Sequence, residues 1–162
     1  MATNLKNQSP RQLLSLYVQV LQELRRQEIT RSTNNPVADY AELLFERGLG
    51  LTRTPKSTKG HDAVGPDGKR YEVTARRLTA HNTSRQLSAL RSLDDKHFDC
   101  LAGVLFDENF AVRKACLVPH DQVVAHAKYR KHTNSLTFYL RDDVWTYPGV
   151  VDVTRELAAA EL

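Results

Sequence analysis

Ser57-Thr58-Lys59-Gly60-His61-Asp62, a Pro66-Asp67-Gly68 turn and then Tyr71-Glu72-Val73-Thr74-Ala75-Arg76 form the stretch that decides the reading of this chain. Pro66 and Asp67 suit the two central positions of a type I turn. Gly68 supplies the left-handed residue that closes a three-residue hairpin loop with a bulge. Such a loop pairs Gly65 with Lys69, and counting outward sets Asp62 opposite Glu72. Directly opposed residues of an antiparallel ladder hold their Cβ atoms about 4.5–5.5 Å apart. Two ionised carboxylates there repel unless a cation or a proton lies between them. Strand alternation puts Arg70, Glu72, Thr74 and Arg76 on one face and Tyr71, Val73 and Ala75 on the other, where they can pack on a core. Spacing alone leaves two readings open. The pair is a metal site, or Asp62 starts a turn and Glu72 is a solvated strand residue with Arg70 and Arg76 as ion-pair neighbours.

A small residue and Lys-Gly ahead of an aspartate, a short hairpin and a Glu-x-Lys-like close of the next strand resemble the PD-(D/E)XK nuclease superfamily. The similarity runs loosely over residues 35–106. Asp62 matches the first acid, Glu72 the second, and Thr74 stands where that family carries lysine. Glu42, in Ala38-Asp39-Tyr40-Ala41-Glu42-Leu43-Leu44, resembles the helix glutamate that often joins such sites. The resemblance implies a restriction-endonuclease-like fold, Mg²⁺ or Mn²⁺ held by Asp62, Glu72 and Glu42, and phosphodiester hydrolysis in DNA. It also implies that Gln86 and Arg85, beyond the catalytic strand, border the substrate. A lysine of that kind positions or activates the attacking water, a role that typically contributes about 10²–10⁴-fold. A threonine hydroxyl orients water but is no base at neutral pH, and Arg76 on the same face keeps its proton. Lys59 and Lys69 are the nearby lysines able to approach from another backbone position.

Length and composition fit this reading without proving it. The 162 residues suit one domain, and 41% hydrophobic with 26% charged residues is ordinary for a globular chain. The polar residues 1–9 lack a signal-peptide core, and no apolar run approaches the roughly 20 residues that span a bilayer. The expectation is a cytoplasmic protein with no membrane partner. A formal charge of +4 and a pI near 9.2 favour a polyanion, with DNA the first choice. The candidate phosphate contacts are Lys59, the Arg76-Arg77 pair, and Lys128, Arg130 and Lys131 in His126-Ala127-Lys128-Tyr129-Arg130-Lys131-His132. That last cluster interleaves cations with a tyrosine able to stack on an unpaired base. Helix ends gather cations in any case.

Cys100 and Cys116 are the two cysteines, expected as cross-strand neighbours about a turn at Asp107-Glu108-Asn109 and as reduced thiols. Without a Cys/His cluster, structural zinc is not expected.

The order of elements predicts a single α/β (α+β) domain with a central mixed sheet flanked by helices. It comprises an N-terminal helix and linker (1–34), a core (35–142) and a C-terminal tail or helix (143–162). Ser9 and Pro10 open a helix to about Ile29 with Leu13, Leu14, Tyr17, Val20, Leu21 and Leu24 as a packing stripe. Asn35 and Pro36 open a second helix, ending near Gly48 or Gly50, with Glu42 at the edge of its apolar face. A short helix is expected from Asn82 to about Ser92. A central strand at 98–106, apolar on both faces, pairs with 110–118. A helix after Pro119 turns Val123, Val124 and Ala127 inward, and a strand at 136–141 completes the sheet. The alanine-rich 153–162 stretch packs locally or mediates dimerisation. Three functions follow: a metal-dependent DNA nuclease weakened by Thr74; a non-cutting relative that binds nucleic acid or serves a larger nuclease complex; and a partner-binding protein with no nucleic-acid affinity.

Overall fold

A computed structural model describes residues 4–161. The first three residues of the polar leader and the last of the alanine-rich stretch lie outside the described residues. Helix α1 spans Pro10–Arg26, and Ser9 Oγ accepts from the Gln12 N–H while Gln12 Oε1 accepts from the Ser9 N–H, a reciprocal cap. Helix α2 is Val37–Leu49. Asn35 Oδ1 accepts the Val37 N–H, and Gly50 ends the helix at φ 67°, a left-handed close that glycine adopts without strain.

Strands β1 (Thr52–Arg53), β2 (Ala63–Val64), β3 (Arg70–Arg77), β4 (Cys100–Phe106), β5 (Val112–Pro119) and β8 (Val151–Asp152) form one six-stranded sheet in the order β1-β2-β3-β4-β5-β8. Among the described residues only the β3–β4 pair is parallel, so the sheet is mixed. A separate hairpin joins β6 (Lys128–Arg130) to β7 (Ser135–Thr137). Helix α3 is His120–His126 and α4 is Thr154–Ala159.

The β2–β3 turn forms as the sequence predicts. The Gly65 N–H donates to the Lys69 carbonyl at 2.8 Å and the Gly68 N–H to the Gly65 carbonyl at 2.9 Å, with Gly68 at φ 79°. Ala63 then pairs Tyr71 and the ladder ends there; Asp62 lies at a bend just before β2, where its N–H donates to the Tyr71 carbonyl next to Glu72. Strand β4 is covered on both faces, which explains its uninterrupted apolar run. Ala102, Val104 and Phe106 pack with Leu44 and Phe45 of α2 and Leu157 of α4. Leu101 and Leu105 pack with Leu87, Leu90, Phe138 and Leu140 on the other side.

Several expectations are corrected. Residues 82–92 form no helix. Asn82 and Ser84 side chains accept the Ser84 and Gln86 N–H groups, bonds that compete with helix. The Leu87 and Leu90 N–H groups then donate to the Phe138 and Leu136 carbonyls, and the segment crosses the sheet as an extended strap. Residues 136–141 do not complete the sheet, because their start belongs to the β6–β7 hairpin and the edge beside β5 is taken by β8. The tail after residue 142 therefore belongs to the core, with Val153 and Leu157 buried. The β4–β5 turn closes between Asp107 and Ala111 rather than around Glu108, and a bulge between Leu105 and Phe106 adds one more residue of shift, so Cys116 opposes Gly103 and Cys100 opposes Pro119. Both thiols are free. Val124 is exposed rather than inward.

The stripe on α1 is the largest departure. Leu21 is buried, whereas Leu13, Leu14, Tyr17 and Val20 are exposed. Both sheet faces are already covered by other segments, and no α1 residue joins either core cluster. No described helix is long and apolar enough to cross a membrane.

Candidate functional site

Asp62 and Glu72 line one open cleft of about 610 Å³. Asp62 precedes β2 and is anchored there: its N–H donates to the Tyr71 carbonyl, and its carboxylate accepts the Val73 N–H at 2.9 Å. Glu72 projects from β3 on the face opposite Tyr71 and Val73. The strap contributes Ala89, Leu90, Arg91 and Ser92 to the same cleft, and the approach to β4 contributes His97 and Phe98; Lys59 and Gly60 complete the lining. Gly60 sits at φ 90°, and a Cβ there would overlap His97 Cβ, so its lack of a side chain lets the two walls meet.

The charges are unevenly compensated. Glu42 is buried on α2 and forms an ion pair with Arg31, whose guanidinium also donates to the Thr54 carbonyl at 2.6 Å. Asp39, one turn earlier, pairs with Lys56 and accepts the Arg31 and Ser32 N–H groups at 3.0 and 3.1 Å. Burial disfavours its charge, but these donors outweigh it and hold its carboxyl below the ordinary range. Asp62 is pushed up by burial, against the pull of the Val73 N–H, Arg31, Lys56 and His61. Glu42 is likewise raised by burial, against Arg31. Glu72 has no such relief: burial, then Asp62, then Glu42 all favour its protonated form, and its carboxyl rises to about 8. Among the described residues no hydrogen bond or ion pair reaches the Glu72 carboxylate.

Among the described residues no three His, Cys, Asp or Glu side chains gather as a ready-made metal cage. Glu42, expected as the third ligand, is engaged by Arg31. Asp62 and Glu72 remain as a hard-oxygen donor pair facing one cleft. That set fits Mg²⁺, which commonly takes one or two carboxylates and keeps the rest of its shell as water or phosphate oxygens.

The other expected site residues scatter. Thr74 is buried, with its hydroxyl lacking a partner, and it does not line the cleft. Arg76 and Arg77 close β3, roughly 13 and 16 Å along the strand from Glu72 at ~3.3 Å per residue. Arg77 donates to the Glu108 carbonyl and stacks over Phe110. Arg85 pairs with Asp142, and Gln86 accepts from the Tyr139 hydroxyl. Lys69 pairs with Asp67 at the turn. Of the expected cations, Lys59 alone lines the acid cleft. Lys128, Arg130 and Lys131 lie on the β6 hairpin and the single turn after it.

Reading 82–92 as a helix hid Arg91 and Ser92 from the sequence. His97 looked like one of six scattered histidines, and its signal was the distant Gly60 that makes room for it. A scan against protein-family models finds no match, and no curated protein matches the chain significantly.

Proposed function

We propose that the Asp62/Glu72 cleft is the active site of a divalent-metal-dependent nuclease that hydrolyses phosphodiester bonds in DNA. The observation that carries this reading is Glu72, a half-buried carboxylate pressed toward protonation by burial and by two acidic neighbours, with no cation of its own. The bound ion would be Mg²⁺ or Mn²⁺ on Asp62 and Glu72, lowering the pKa of a water and offsetting charge on the phosphoryl group. The chain's own groups do the rest. Lys59 and Arg91 are placed at the cleft to hold phosphate oxygens, with the Arg91 fork suited to a bidentate grip. Burial of Thr74 removes it from proton transfer, and His97, which lines the cleft with its Nε2 3.5 Å from Asp95 Oδ2, takes that role. Arg31 and Lys56 fix Glu42 and Asp39, which ties the 52–62 loop to α2 and holds Asp62 in place.

Plasmid and oligonucleotide cleavage with Mn²⁺ tests this. Glu72→Gln is expected to abolish cutting, and His97→Gln to lower it about 10²–10⁴-fold. Unchanged cleavage in Glu72→Gln would remove the reading. As an independent readout, Mn²⁺ should raise the melting temperature of the parent chain and not that of Glu72→Gln.

The burial of Thr74 favours a second reading, a nuclease-like chain that binds nucleic acid without cutting. Salt-dependent binding that needs Lys59 and Arg91, with no cleavage under any divalent ion, would select it.

A further inference from the structure

The acid cleft does not end at the strap. Leu90, Arg91 and Ser92 line the 610 Å³ cleft and also line a second cleft of about 530 Å³, so the two clefts meet along this stretch. Tyr129, 62% exposed, lines that second cleft and not the first. Its ring is held in place: the hydroxyl donates to Asn134 Oδ1 at 3.0 Å across the β6–β7 hairpin, and Asn134 takes the left-handed conformation that closes that hairpin.

The structure also divides a cluster that the sequence presents as one. On β6 neighbouring side chains point to opposite faces. Lys128 lines a separate small pocket with His126 and Tyr147, and Arg130 donates to the Tyr139 hydroxyl. Tyr129 alone of the three faces the cleft that leads back to Asp62 and Glu72. An exposed aromatic face at Tyr129, a guanidinium at Arg91 shared by both clefts and an ammonium at Lys59 bring together a surface for stacking a base and cations for phosphates. Bases in a duplex are already stacked on each other and offer no free face to a side chain, whereas unpaired bases do.

We infer that the two clefts form one groove for single-stranded nucleic acid, with an unpaired base stacked on Tyr129 and the neighbouring backbone led past Arg91 toward the acid pair. This specifies the substrate class of the site proposed above and rests on that site's affinity for nucleic acid.

Fluorescence anisotropy of a labelled short oligothymidylate against its blunt duplex with oligodeoxyadenylate, in Ca²⁺ or EDTA, tests it on the full chain. The single strand is expected to bind more tightly. Tyr129→Ala should weaken single-strand binding about 5- to 150-fold, the loss of one base–aromatic stack. Tyr129→Phe keeps the ring face and should stay near the parent value. Equal or tighter duplex binding, or unchanged single-strand affinity in Tyr129→Ala, overturns the inference. The two readings fail separately. Tyr129-dependent single-strand binding without cleavage under Mn²⁺ retains this inference and removes the nuclease. Duplex cleavage indifferent to Tyr129 removes this inference and retains the nuclease.

Discussion

Glu72 carries the clearest consequence at the scale of a single residue. Its carboxyl lies at about 8 in the folded chain against 4.5 for the free group, so the folded state holds a proton that the unfolded state has released across that window. Its stabilising effect is complete below about 4.5 and declines as pH rises toward 8. Thermal melts without divalent ions should therefore show the parent chain losing stability over this range relative to Glu72→Gln, by about 1–3 kcal/mol at the alkaline end. Parallel pH profiles for the two proteins would refute this. Arg31 gives a second test. Removing it strands the buried Glu42, so Arg31→Met should cost about 3 kcal/mol, with much of the loss recovered when Glu42→Gln is added. Equilibrium urea unfolding of both variants reads the difference. The Asp62/Glu72 pair was legible in the sequence because a turn of fixed length sets its register. Arg31 was not, since nothing in a polar linker states which buried acid it will meet.

Among the elements, α1 and α2 look alike as amphipathic patterns yet occupy opposite environments. Leu44 of α2 is fully buried, and Leu14 of α1 is 66% exposed. Leu44→Ala should cost about 2–5 kcal/mol, and Leu14→Ala less than about 0.5 kcal/mol. Comparable losses in the two variants would show that α1 is packed in solution. Periodicity marked both helices, and Ser9 and Gly50 cap them as expected because capping is local, although α1 stops at Arg26 rather than Ile29 and the N-cap of α2 is Pro36 rather than Asn35. It could not say which stripe finds a partner, because that depends on how much of the sheet the remaining segments cover. Residues 82–92 illustrate the converse: Leu87, Leu90 and Leu93 recur every three residues like a helical stripe. Their burial is achieved instead by an extended strap whose carbonyl partners lie some 50 residues further along the chain.

For the molecule as a whole, the mixed sheet flanked by helices was readable from the alternation of elements and from the doubly apolar β4. The membership of its edges was not. β8 is two residues long and follows an irregular stretch, yet its pairing with β5 and the docking of α4 bury Val153 and Leu157. Ending the chain after residue 142 should therefore abolish cooperative folding, observed as loss of a thermal transition by circular dichroism. A truncated chain that melts at the parent temperature would show that the tail is an appendage.

The parallel ladder of β3 and β4 also governs the order in which the site comes into being. The Gly65–Lys69 hairpin closes between near neighbours in sequence, whereas Arg77 and Cys100 must be joined by a long crossing, and distant closures of that kind are slow. While the hairpin stands alone Glu72 remains in water, ionised and well screened from Asp62. Its acidity changes only when the strap and β4 arrive to bury it. The electrostatic conflict at the centre of the cleft is thus absent from the early folding chain and is switched on by the last closure.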